Sequence, residues 1–394
     1  MNTAPKTPAQ AWCFEALDTW FFKESRPLEA VGGAQLTSMF PPPARTLIGA
    51  VRTALGDAHA VHWPDYAAQA SHPLRALMGS PEDLGPLSFQ GPYLLRKDGR
   101  HSERLYPAPL ALMHTPPDEE GHQPMAFTRL RPGASAVQCD LGWVRLPQKH
   151  NAQLTGAKPA EAMWLTQAGL KAVLHGELPR AADLLQAKDL FDSEERLGIA
   201  RDHHTKRPID GLLYQTRHIR PRAGVALGMT VHGLDRAAFP ALAPQGMARL
   251  GAEGRLAAWS QCPVQALPAV QVTGQRLMLC LLTHACFEHG WVPDGFVLTT
   301  SEAGGRPLNV WSGQLAGKNA RLVSAVTGKP VREGGWDLAS HKPRTLHALV
   351  PAGSCYFFEL DSAHDARQVA AALHGGQWGR ESAWGRGQIA VGLW

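Results

Sequence analysis

The sequence predicts an α+β protein whose second half has the β-α-β-β-α-β order of a ferredoxin-like unit. Three observations support this prediction. The chain has 394 residues, which favours two domains over one. Hydrophobic residues make up 44% and charged residues only 19%, so real cores can form. Apolar strand and helix patterns then alternate in the second half, while 39 Gly and 31 Pro indicate many turns and long irregular connections.

The first half begins with strand-like and loop-like segments. Residues 11–17 read as a strand, and residues 18–27 as a loop with exposed aromatic and charged side chains. The run Phe40-Pro41-Pro42-Pro43 interrupts regular structure, and a helix is expected after it. Its apolar positions recur at helical spacing, and Arg45 and Arg52 share a face away from most of them. Those apolar residues are Leu47, Ile48, Val51 and Leu55.

The middle of the chain is poorly periodic. Residues 64–160 are interrupted repeatedly by Gly and Pro, with short strands such as 93–96 expected between the breaks. A helix is expected over residues 179–188. Residues 217–222 and 225–232 are typical of strands that complete the first half.

The second half has a clearer order of elements. Strands are expected at 247–260, 296–300, 356–360 and 388–394, and helices at 275–289 and 362–373. Gly290 suits the C-cap of the first helix, and Ser362 the N-cap of the second. We therefore place an N-terminal domain with insertions at residues 1–238. The C-terminal domain, with a glycine-rich loop before its last strand, takes residues 239–394.

The bulk chemistry favours a reduced, cytoplasmic protein. Formal net charge is +5, and the pI is about 8.9, a mild bias toward polyanions. The six cysteines include no C-x-x-C pair, so reduced thiols are expected. The first twelve residues lack the apolar stretch of a signal peptide, and the longest strongly apolar run, 277–287, is too short to span a membrane. No membrane contact is expected.

A cluster of potential metal ligands lies in the predicted helix at 275–289. It comprises Cys280, His284, Cys286 and His289. On a helix Cys286 would point away from the others, and small buried cysteines are common in cores. We therefore expect no metal ion and no cofactor.

The most basic segment is residues 201–222. It holds six basic and two acidic residues, which leaves +4, close to the net charge of the whole chain. Arginine pairs well with phosphate, and the interleaved His and Tyr rings can stack on bases. The alternative is a solvated loop and strand edge. We expect this segment to hold RNA phosphates rather than to read bases.

The second candidate is the glycine-rich end of the chain, where residues 375–394 include six glycines. Glycine lets the backbone approach a phosphate closely and present its N–H groups. Gly385 and Gly387 are therefore predicted to cradle a phosphate, with Arg380 and Arg386 adding charge. The alternative is a turn before the final strand.

Motifs of the common hydrolases and nucleotide-binding enzymes are missing. His203-His204-Thr205 fits one copy of an H-x-T/S motif, but a second copy is absent from the sequence. The sequence also has no G-x-x-x-x-G-K-[ST] or G-x-S-x-G motif. The prediction is that no residue is catalytic.

Several blocks together resemble one known family. The N-terminal part of the chain carries Leu17-Asp18-Thr19-Trp20-Phe21-Phe22, Arg26-Pro27, Phe40-Pro41-Pro42-Pro43 and Gly49-Ala50-Val51-Arg52-Thr53-Ala54-Leu55. The later blocks are Arg196-Leu197-Gly198-Ile199, Gly211-Leu212-Leu213-Tyr214, Gly251-Ala252-Glu253-Gly254-Arg255, Gly334-Gly335-Trp336-Asp337-Leu338 and the run from Pro351 to Phe358. In this order they resemble the third subunit of the type III-B CRISPR (Cmr) effector complex, a member of the RAMP superfamily. Ala252 departs from the family's second glycine, and residues 57–160 carry little of the resemblance.

The resemblance implies two tandem ferredoxin-like, RRM-related domains with long irregular insertions. It also implies a cytoplasmic subunit that binds the 5′ tag of the crRNA in antiviral defence and meets target RNA only indirectly. Its expected protein partners are the large polymerase-like subunit and the backbone subunits. The predicted RNA contacts are Lys23, Arg26, Arg45, Arg52, Arg201, His203, His204, Lys206, Arg207, Arg217, Arg220, Arg222, Arg380, Gly385, Arg386 and Gly387.

Two alternative functions remain open from the sequence. One is a RAMP-type, metal-independent endoribonuclease that processes precursor crRNA with a histidine. The other is a protein-protein scaffold whose basic segments are only solvated surface. Metal-free cleavage of precursor RNA by the isolated chain would favour the first, and a failure to bind any RNA at any salt would favour the second.

Overall fold

The computed structural model describes residues 8–24, 35–99, 101–116, 125–202, 204–303, 306–337, 340 and 342–394. Strands dominate these ranges, and the α-helices are few and short. They are α1 (Ala44–Asp57), α2 (Trp63–Ala68), α3 (Arg75–Met78), α4 (Gln167–Leu174), α5 (Ala187–Leu190) and α6 (Ala363–Leu373). Two short 3-10 turns occupy Ala181–Asp183 and Arg236–Ala238. The predicted mixture of helices and strands is confirmed, and the tandem ferredoxin-like pair stays a prediction.

The strands of the first two thirds of the chain are β1 (Gln10–Ala16), β2 (Gln35–Leu36), β3 (Ser88–Asp98), β4 (His101–Pro107), β5 (Leu112–Thr115), β6 (Ala126–Pro132), β7 (Val137–Cys139), β8 (Gly142–Val144), β9 (Pro147–Lys149), β10 (Lys158–Pro159), β11 (Met163–Leu165), β12 (Leu184–Gln186), β13 (Phe191–Arg201), β14 (Pro208–Pro221), β15 (Val225–His232), β16 (Gln245–Arg249) and β17 (Leu256–Cys262). The remaining strands are β18 (Arg276–Leu281), β19 (Val297–Ala303), β20 (Arg306–Leu315), β21 (Lys318–Val326), β22 (Val331–Glu333), β23 (Trp336–Asp337), β24 (Lys342–Pro343), β25 (His347–Leu349), β26 (Cys355–Leu360), β27 (Trp384–Gly385) and β28 (Ile389–Leu393).

The first large sheet has the order β12-β11-β4-β3-β15-β1-β17-β16, and β27 joins β3 in parallel at Phe89 and Gln90. On the central strand β1, Trp12 and Phe14 alternate onto one face, where they enter the core that α1 covers. The apolar stripe predicted for α1 is buried in this core. Burying a Leu or Ile side chain fully stabilises the fold by about 1.5–3 kcal/mol. This core therefore fixes α1 against the sheet.

The aromatic residues after β1 are buried, which corrects the prediction of an exposed loop. Trp20, Phe21 and Phe22 are at most 3% exposed. Trp20 pairs with Ile219 through its backbone, so this segment crosses the base of β14 and packs there. The aromatic rings drive the burial, and the neighbouring Asp18 stays at the surface.

The second large sheet has the order β19-β20-β21-β26-β18-β28. Its strand β18 replaces the helix that we expected over residues 275–289. Leu277, Leu279 and Leu281 pack toward α6, whereas Met278 and Cys280 lie in the core on the other face, with α4. Because β18 is buried on both faces, its apolar run is continuous and carries no alternation. The first helix of the predicted β-α-β-β-α-β order is therefore replaced by a strand.

Helix α6 lies where the sequence predicts it. The Ser362 hydroxyl accepts a hydrogen bond from the Asp365 backbone N–H and caps the helix. Ala366 and Val369 are fully buried against the second sheet. The predicted strands at 296–300, 356–360 and 388–394 appear as β19, β26 and β28. The expected helix at 179–188 is instead a 3-10 turn, strand β12 and the start of α5.

The two halves of the chain share strands and core. The segment predicted as one strand at 247–260 forms the hairpin β16–β17, and β17 pairs with β1 in the first sheet. Apart from β27, strands of the first sheet thus extend to Cys262, beyond the predicted boundary after residue 238, and those of the second begin at Arg276. One core joins α4 and β4 of the first half to β18, β26 and β28 of the second. Across the described ranges, no helix has the length and apolarity needed to cross a membrane.

Candidate RNA interface

The basic segment 201–222 belongs to a long two-stranded ribbon, β13–β14. The strands pair in register from Phe191 opposite Pro221 to Ile199 opposite Leu213, and again at Arg201 opposite Pro208. The two-residue strand β2 adds to β14 at Gln215 and Thr216. With a rise of about 3.3 Å per residue, the ribbon is about 30 Å long. Its base and its tip are far enough apart to have different electrostatic surroundings.

The base of the ribbon is a network of matched charges. Asp18 forms ion pairs with Arg196 at 2.9 Å, Arg220 at 2.9 Å and Arg255 at 3.3 Å. Glu194 pairs with Arg196 at 2.6 Å and Arg220 at 2.5 Å. Hydrogen bonds from Arg196, and then from Arg220, hold the pKa of both carboxyl groups below their usual values. Arg220 is therefore already engaged with two acids.

The other two predicted arginines of β14 and its end are also paired. Arg217 contacts Glu195 at 3.1 Å. Arg222 contacts Asp192 at 2.9 Å and donates to the Lys188 carbonyl oxygen. Exposed ion pairs of this kind contribute about 0–1 kcal/mol to stability. A phosphate could therefore replace the acid, but in this structure both arginines already have an acidic partner.

A buried histidine lies beneath this network. The His218 side chain has no exposed surface, and its ring stacks on Phe21 at 5.0 Å between centroids. Its Nδ1 lies 3.1 Å from Thr19 Oγ1, and its Nε2 lies 3.1 Å from Glu253 Oε2. Burial lowers its pKa. The Thr-His-Glu geometry thus anchors the ribbon in the fold, where RNA has no access to the ring.

The tip of the ribbon carries the accessible positive charge. Arg201, His204, Lys206 and Arg207 are exposed, and within the described part of the chain none of them has an ion pair. Asp202 organises the turn by accepting hydrogen bonds from the backbone N–H groups of His204 and Thr205. Those bonds lower the pKa of Asp202, with the Thr205 backbone first. His203 lies outside the described residues.

The same ribbon exposes apolar side chains next to the basic tip. Leu197 is 74% exposed, Leu213 52% and Ile199 48%. Their register places all three on one face of the ribbon, the face opposite Arg196 and His218. The tip thus combines cationic groups with an uncovered apolar face.

The predicted contacts near the N-terminus fall in different surroundings. Arg52 donates to the Tyr66 hydroxyl and to the Ser80 carbonyl oxygen, so it ties α1 to the segment after α3. Lys23 forms a backbone bridge with Ser38, and partial burial lowers its pKa. Arg26 lies outside the described residues. Arg52 therefore has an internal role in the fold.

Arg45 lies in a second basic region, at the start of α1. Its guanidinium stacks over the Trp384 ring at 3.8 Å and contacts Glu381 at 3.5 Å. Burial lowers its pKa, and Arg344 and Arg386 are among the nearby charges that act in the same direction. The described structure thus brings the start of α1, the glycine-rich loop and residue 344 together.

The end of the glycine-rich loop, which holds Gly385 and Gly387, is buried, and this corrects the predicted phosphate cradle. The Gly387 N–H donates to the His284 carbonyl oxygen at 2.8 Å, and the Gly385 N–H to Ser382 O at 3.0 Å. Both residues have positive φ, 85° and 68° for Gly385 and Gly387. A Cβ on Gly385 would come within 2.6 Å of the Gly91 carbonyl oxygen. These glycines therefore permit close internal packing, and their N–H groups are already used.

The two arginines of this loop differ in exposure and in ion pairing. The Arg386 side chain is 5% exposed and contacts Glu333 at 2.7 Å and Glu381 at 2.5 Å. Arg380 is exposed, and the described residues supply it with no ion pair. Arg386 thus joins the loop to the end of β22, whereas Arg380 remains accessible.

The cysteines and histidines at 280–289 do not converge on a metal site. Cys280 faces Cys355 across β18 and β26, and both thiols are buried. His284 Nδ1 accepts a hydrogen bond from the Ala352 N–H at 2.9 Å. Among the residues that the structure describes, no group of three His, Cys, Asp or Glu side chains is arranged to hold a metal ion.

Sequence reasoning missed one exposed aromatic residue. Trp336, on the small hairpin β23–β24, is 57% exposed. Lys342 lies on the paired strand, and Arg344 follows it. The signal was present in the block Gly334-Gly335-Trp336-Asp337-Leu338, which we used only for its family resemblance.

A projecting ribbon with a basic tip and a second basic hairpin with an exposed indole are typical of proteins that bind polyanions. The family model described as CRISPR-associated protein (Cas_Cmr3) matches residues 12–394. The chain therefore belongs to the CRISPR-associated Cas_Cmr3 family.

Solved structures show weaker similarity. A chain of a complex described as "Cryo-EM structure of the Type III-B Cmr-beta bound to cognate target RNA" is 14% identical, with 88% of this chain and 86% of that chain covered and a TM-score of 0.43. A chain of the same complex with target RNA and AMPPnP, in state 1, is 12% identical, with 91% and 88% covered and a TM-score of 0.41. A structure described as "An RAMP protein binding different RNA substrates" is 8% identical, with 50% and 75% covered and a TM-score of 0.19. Similarity this low does not identify functional residues. No curated protein sequence matches the chain.

Proposed function

We propose that this chain is a non-catalytic RNA-binding subunit of a type III-B CRISPR effector complex. In this role it holds the 5′ tag of the crRNA and bridges the large polymerase-like subunit to the backbone filament in antiviral defence. The observation that carries the proposal is family membership across residues 12–394. The accessible basic tip of the β13–β14 ribbon supports the RNA-binding part of it.

The surroundings of His218, His284 and His204 support a non-catalytic role for these three residues. General acid-base cleavage of RNA needs a histidine that reaches the 2′-hydroxyl or the leaving oxygen. His218 is fully buried, and the His284 ring accepts a hydrogen bond from the Ala352 N–H. His204 is exposed at the tip, and the nearby Asp202 accepts hydrogen bonds from backbone N–H groups.

The first experiment tests the identity of the RNA. The tagged chain is purified from its host, and the co-purified RNA is sequenced at both ends. We expect guide RNAs that share a repeat-derived 5′ end. The variant with His203→Ala and His204→Ala should yield guides of unchanged length. Accumulation of unprocessed precursor in that variant would instead favour the endoribonuclease alternative.

The second experiment tests the tip of the ribbon. Replacing Arg201, Lys206 and Arg207 with Ala removes three accessible charges and leaves the network at the base intact. Binding should weaken for all RNA sequences, and the dependence of affinity on salt should become shallower by up to about three ion releases. Lys171→Ala, an exposed lysine on α4, is the matched control. Unchanged affinity and salt dependence in the triple variant would exclude the tip from the RNA interface.

A further inference from the structure

The small hairpin β23–β24 presents an indole ring to solvent on a short, braced element. Trp336 pairs with Pro343, and Asp337 pairs with Lys342. The Arg344 N–H donates to the Gly335 carbonyl oxygen at 2.9 Å, and the Arg344 guanidinium contacts Asp337 at 3.2 Å. These contacts fix the backbone on either side of Trp336. With 57% of its surface exposed, the ring is held at the surface and is not part of the core.

The surroundings of this ring are cationic. Arg344 lies within electrostatic reach of Arg45, which stacks on Trp384 at the start of α1. Lys342 is exposed and has no ion pair with any described residue. The acids of this region are Glu333, Asp337 and Glu381. The three acids all pair with arginines, so the unmatched charge is positive.

The adjacent end of α1 has the same electrostatic preference. Its N-cap residue, Pro43, offers no side-chain hydrogen bond, and the first turn contains no acidic residue. The dipole of a helix start favours a negative group. A negative group near Arg45 and Arg344 would therefore be favoured, and Trp336 lies on the strand paired with the residue before Arg344.

We propose that Trp336 stacks on an unpaired base of single-stranded RNA, while Arg45, Arg344 and Lys342 contact the phosphates beside that base. This inference rests on the proposed function and names a subsite within it. An aromatic ring can stack on any base that is splayed out, whereas bases inside a duplex are already stacked on each other. The site therefore distinguishes single-stranded RNA from duplex RNA and tolerates different sequences.

The guide RNA that co-purifies with the chain gives the sequence of a fluorescein-labelled RNA probe. The test measures binding of this probe as a single strand and annealed to its complement. Trp336→Ala should weaken binding of the single strand by about tenfold, since one base-aromatic stack contributes about 1–3 kcal/mol. Affinity for the duplex should change by less than about twofold. Trp336→Phe keeps a ring and should retain most of the single-strand affinity.

Two controls separate stacking from folding. Trp63→Ala removes a different exposed indole, which is 37% exposed and packs near Gly56 at the far end of α1. With a rise of about 1.5 Å per residue, Gly56 lies about 17 Å along α1 from Arg45. The RNA affinity of Trp63→Ala should equal that of the parent. Lys342→Glu should weaken RNA binding, and the matched reversal Lys171→Glu should not.

A spectroscopic signature identifies the stacked base. Guide RNA with 2-aminopurine at successive positions should be quenched at one position by the parent, and that quenching should be lost in Trp336→Ala. A Trp336→Ala protein that folds normally and binds single-stranded RNA like the parent would overturn the subsite. If the tip variant of β13–β14 still loses affinity, the proposed function stands. Retained RNA binding with loss of the co-purifying subunits would show that Trp336 docks a protein. Absence of RNA from the parent complex would overturn both proposals.

Discussion

Two arginines of the glycine-rich loop have opposite surroundings, one at the surface and one between two buried or half-buried acids. Arg380 and Arg386 are six positions apart, and both suit a phosphate site on sequence grounds. Arg386 is buried between Glu333 and Glu381, which lie 53 and five positions away from it in the chain. Glu333 is distant in the chain, so its pairing with Arg386 leaves no local pattern. The sequence therefore shows that both residues are positively charged, but it does not show that Arg386 is buried and Arg380 is exposed.

Removing the buried guanidinium should destabilise the protein strongly. In Arg386→Ala, Glu333 keeps a carboxylate that is only 4% exposed and loses its partner. Breaking a buried pair in this way costs about 3–5 kcal/mol. Urea unfolding should show that loss. Arg380→Ala, the exposed neighbour, should leave stability close to that of the parent. Equal stability of the two variants would contradict the internal role of Arg386.

A buried histidine should make the protein less stable at acidic pH. His284 accepts a hydrogen bond from the Ala352 N–H, which requires an unprotonated Nδ1. Burial lowers its pKa from 6.5, with Arg386 acting in the same direction and Glu333 against it. Below about pH 6.5 the unfolded state therefore binds a proton that the folded state resists, so stability falls as pH falls toward the lowered pKa.

The measurement is the urea midpoint at pH 7.5 and pH 5.5. His218 and His374 also have pKa values lowered by burial, so the parent should lose stability across this interval. His284→Gln, which keeps an acceptor but does not titrate, should lose less. A parent midpoint that does not change, or an identical change in the variant, would refute this assignment.

At the scale of elements, the sequence predicts best where a pattern is local. Helices α1 and α6 lie where apolar spacing and the Ser362 cap place them. Strand β18 was predicted as a helix because residues on both of its faces are buried, one face under α6 and the other toward α4. A continuous apolar run fits a buried strand and a buried helix equally well, and only the neighbours decide between them.

In the ribbon β13–β14, too, local sequence features are predictable and contacts made by folding are not. Its positive charge is evident in the sequence, but Asp18 and Glu194, which neutralise its base, become neighbours only through folding. Within the described part of the ribbon, only the tip keeps unmatched positive charge. The length and register of the pairing thus determine which predicted contacts remain accessible.

The glycine-rich loop gives a prediction at this scale. Gly387→Ala and Gly317→Ala both place a side chain at positive φ, 68° and 78° respectively. Only at Gly387 would the new Cβ overlap a carbonyl oxygen, that of Trp378, because Gly317 has open space around it. Positive φ alone costs about 1–2 kcal/mol. Gly387→Ala should therefore lower the free energy of unfolding by clearly more than Gly317→Ala does. Thermal or urea unfolding measures both losses.

RNA affinity distinguishes packing from direct contact in the same variant. A packing role predicts that the folded fraction of Gly387→Ala binds guide RNA as the parent does. A stable, fully folded variant with reduced RNA affinity would restore the phosphate cradle that we predicted from the sequence.

For the molecule as a whole, a shared core connects the two sheets. Leu170 and Leu174 of α4 pack with Met278, Phe357 and Ala390 of the second sheet. Strand β27 from the C-terminal end completes the first sheet beside β3. The Arg104 guanidinium, 5% exposed, donates to Gln388 from the other half. Separation of the halves would expose these apolar surfaces and leave that cation without its partner.

We therefore expect the chain to unfold in a single transition. Tryptophan fluorescence and far-UV circular dichroism should give coincident urea curves, and the calorimetric and van't Hoff enthalpies should agree. A fragment of residues 1–238 lacks β17, the partner of β1, and should not form the native first sheet. Extending it to residue 262 restores β16 and β17 but not β27 or the shared core, so it should remain less stable than the full chain. Two resolved transitions in the full chain, or a fragment of residues 239–394 that folds independently, would show instead that the sheets are separate units and that the contacts between them contribute little.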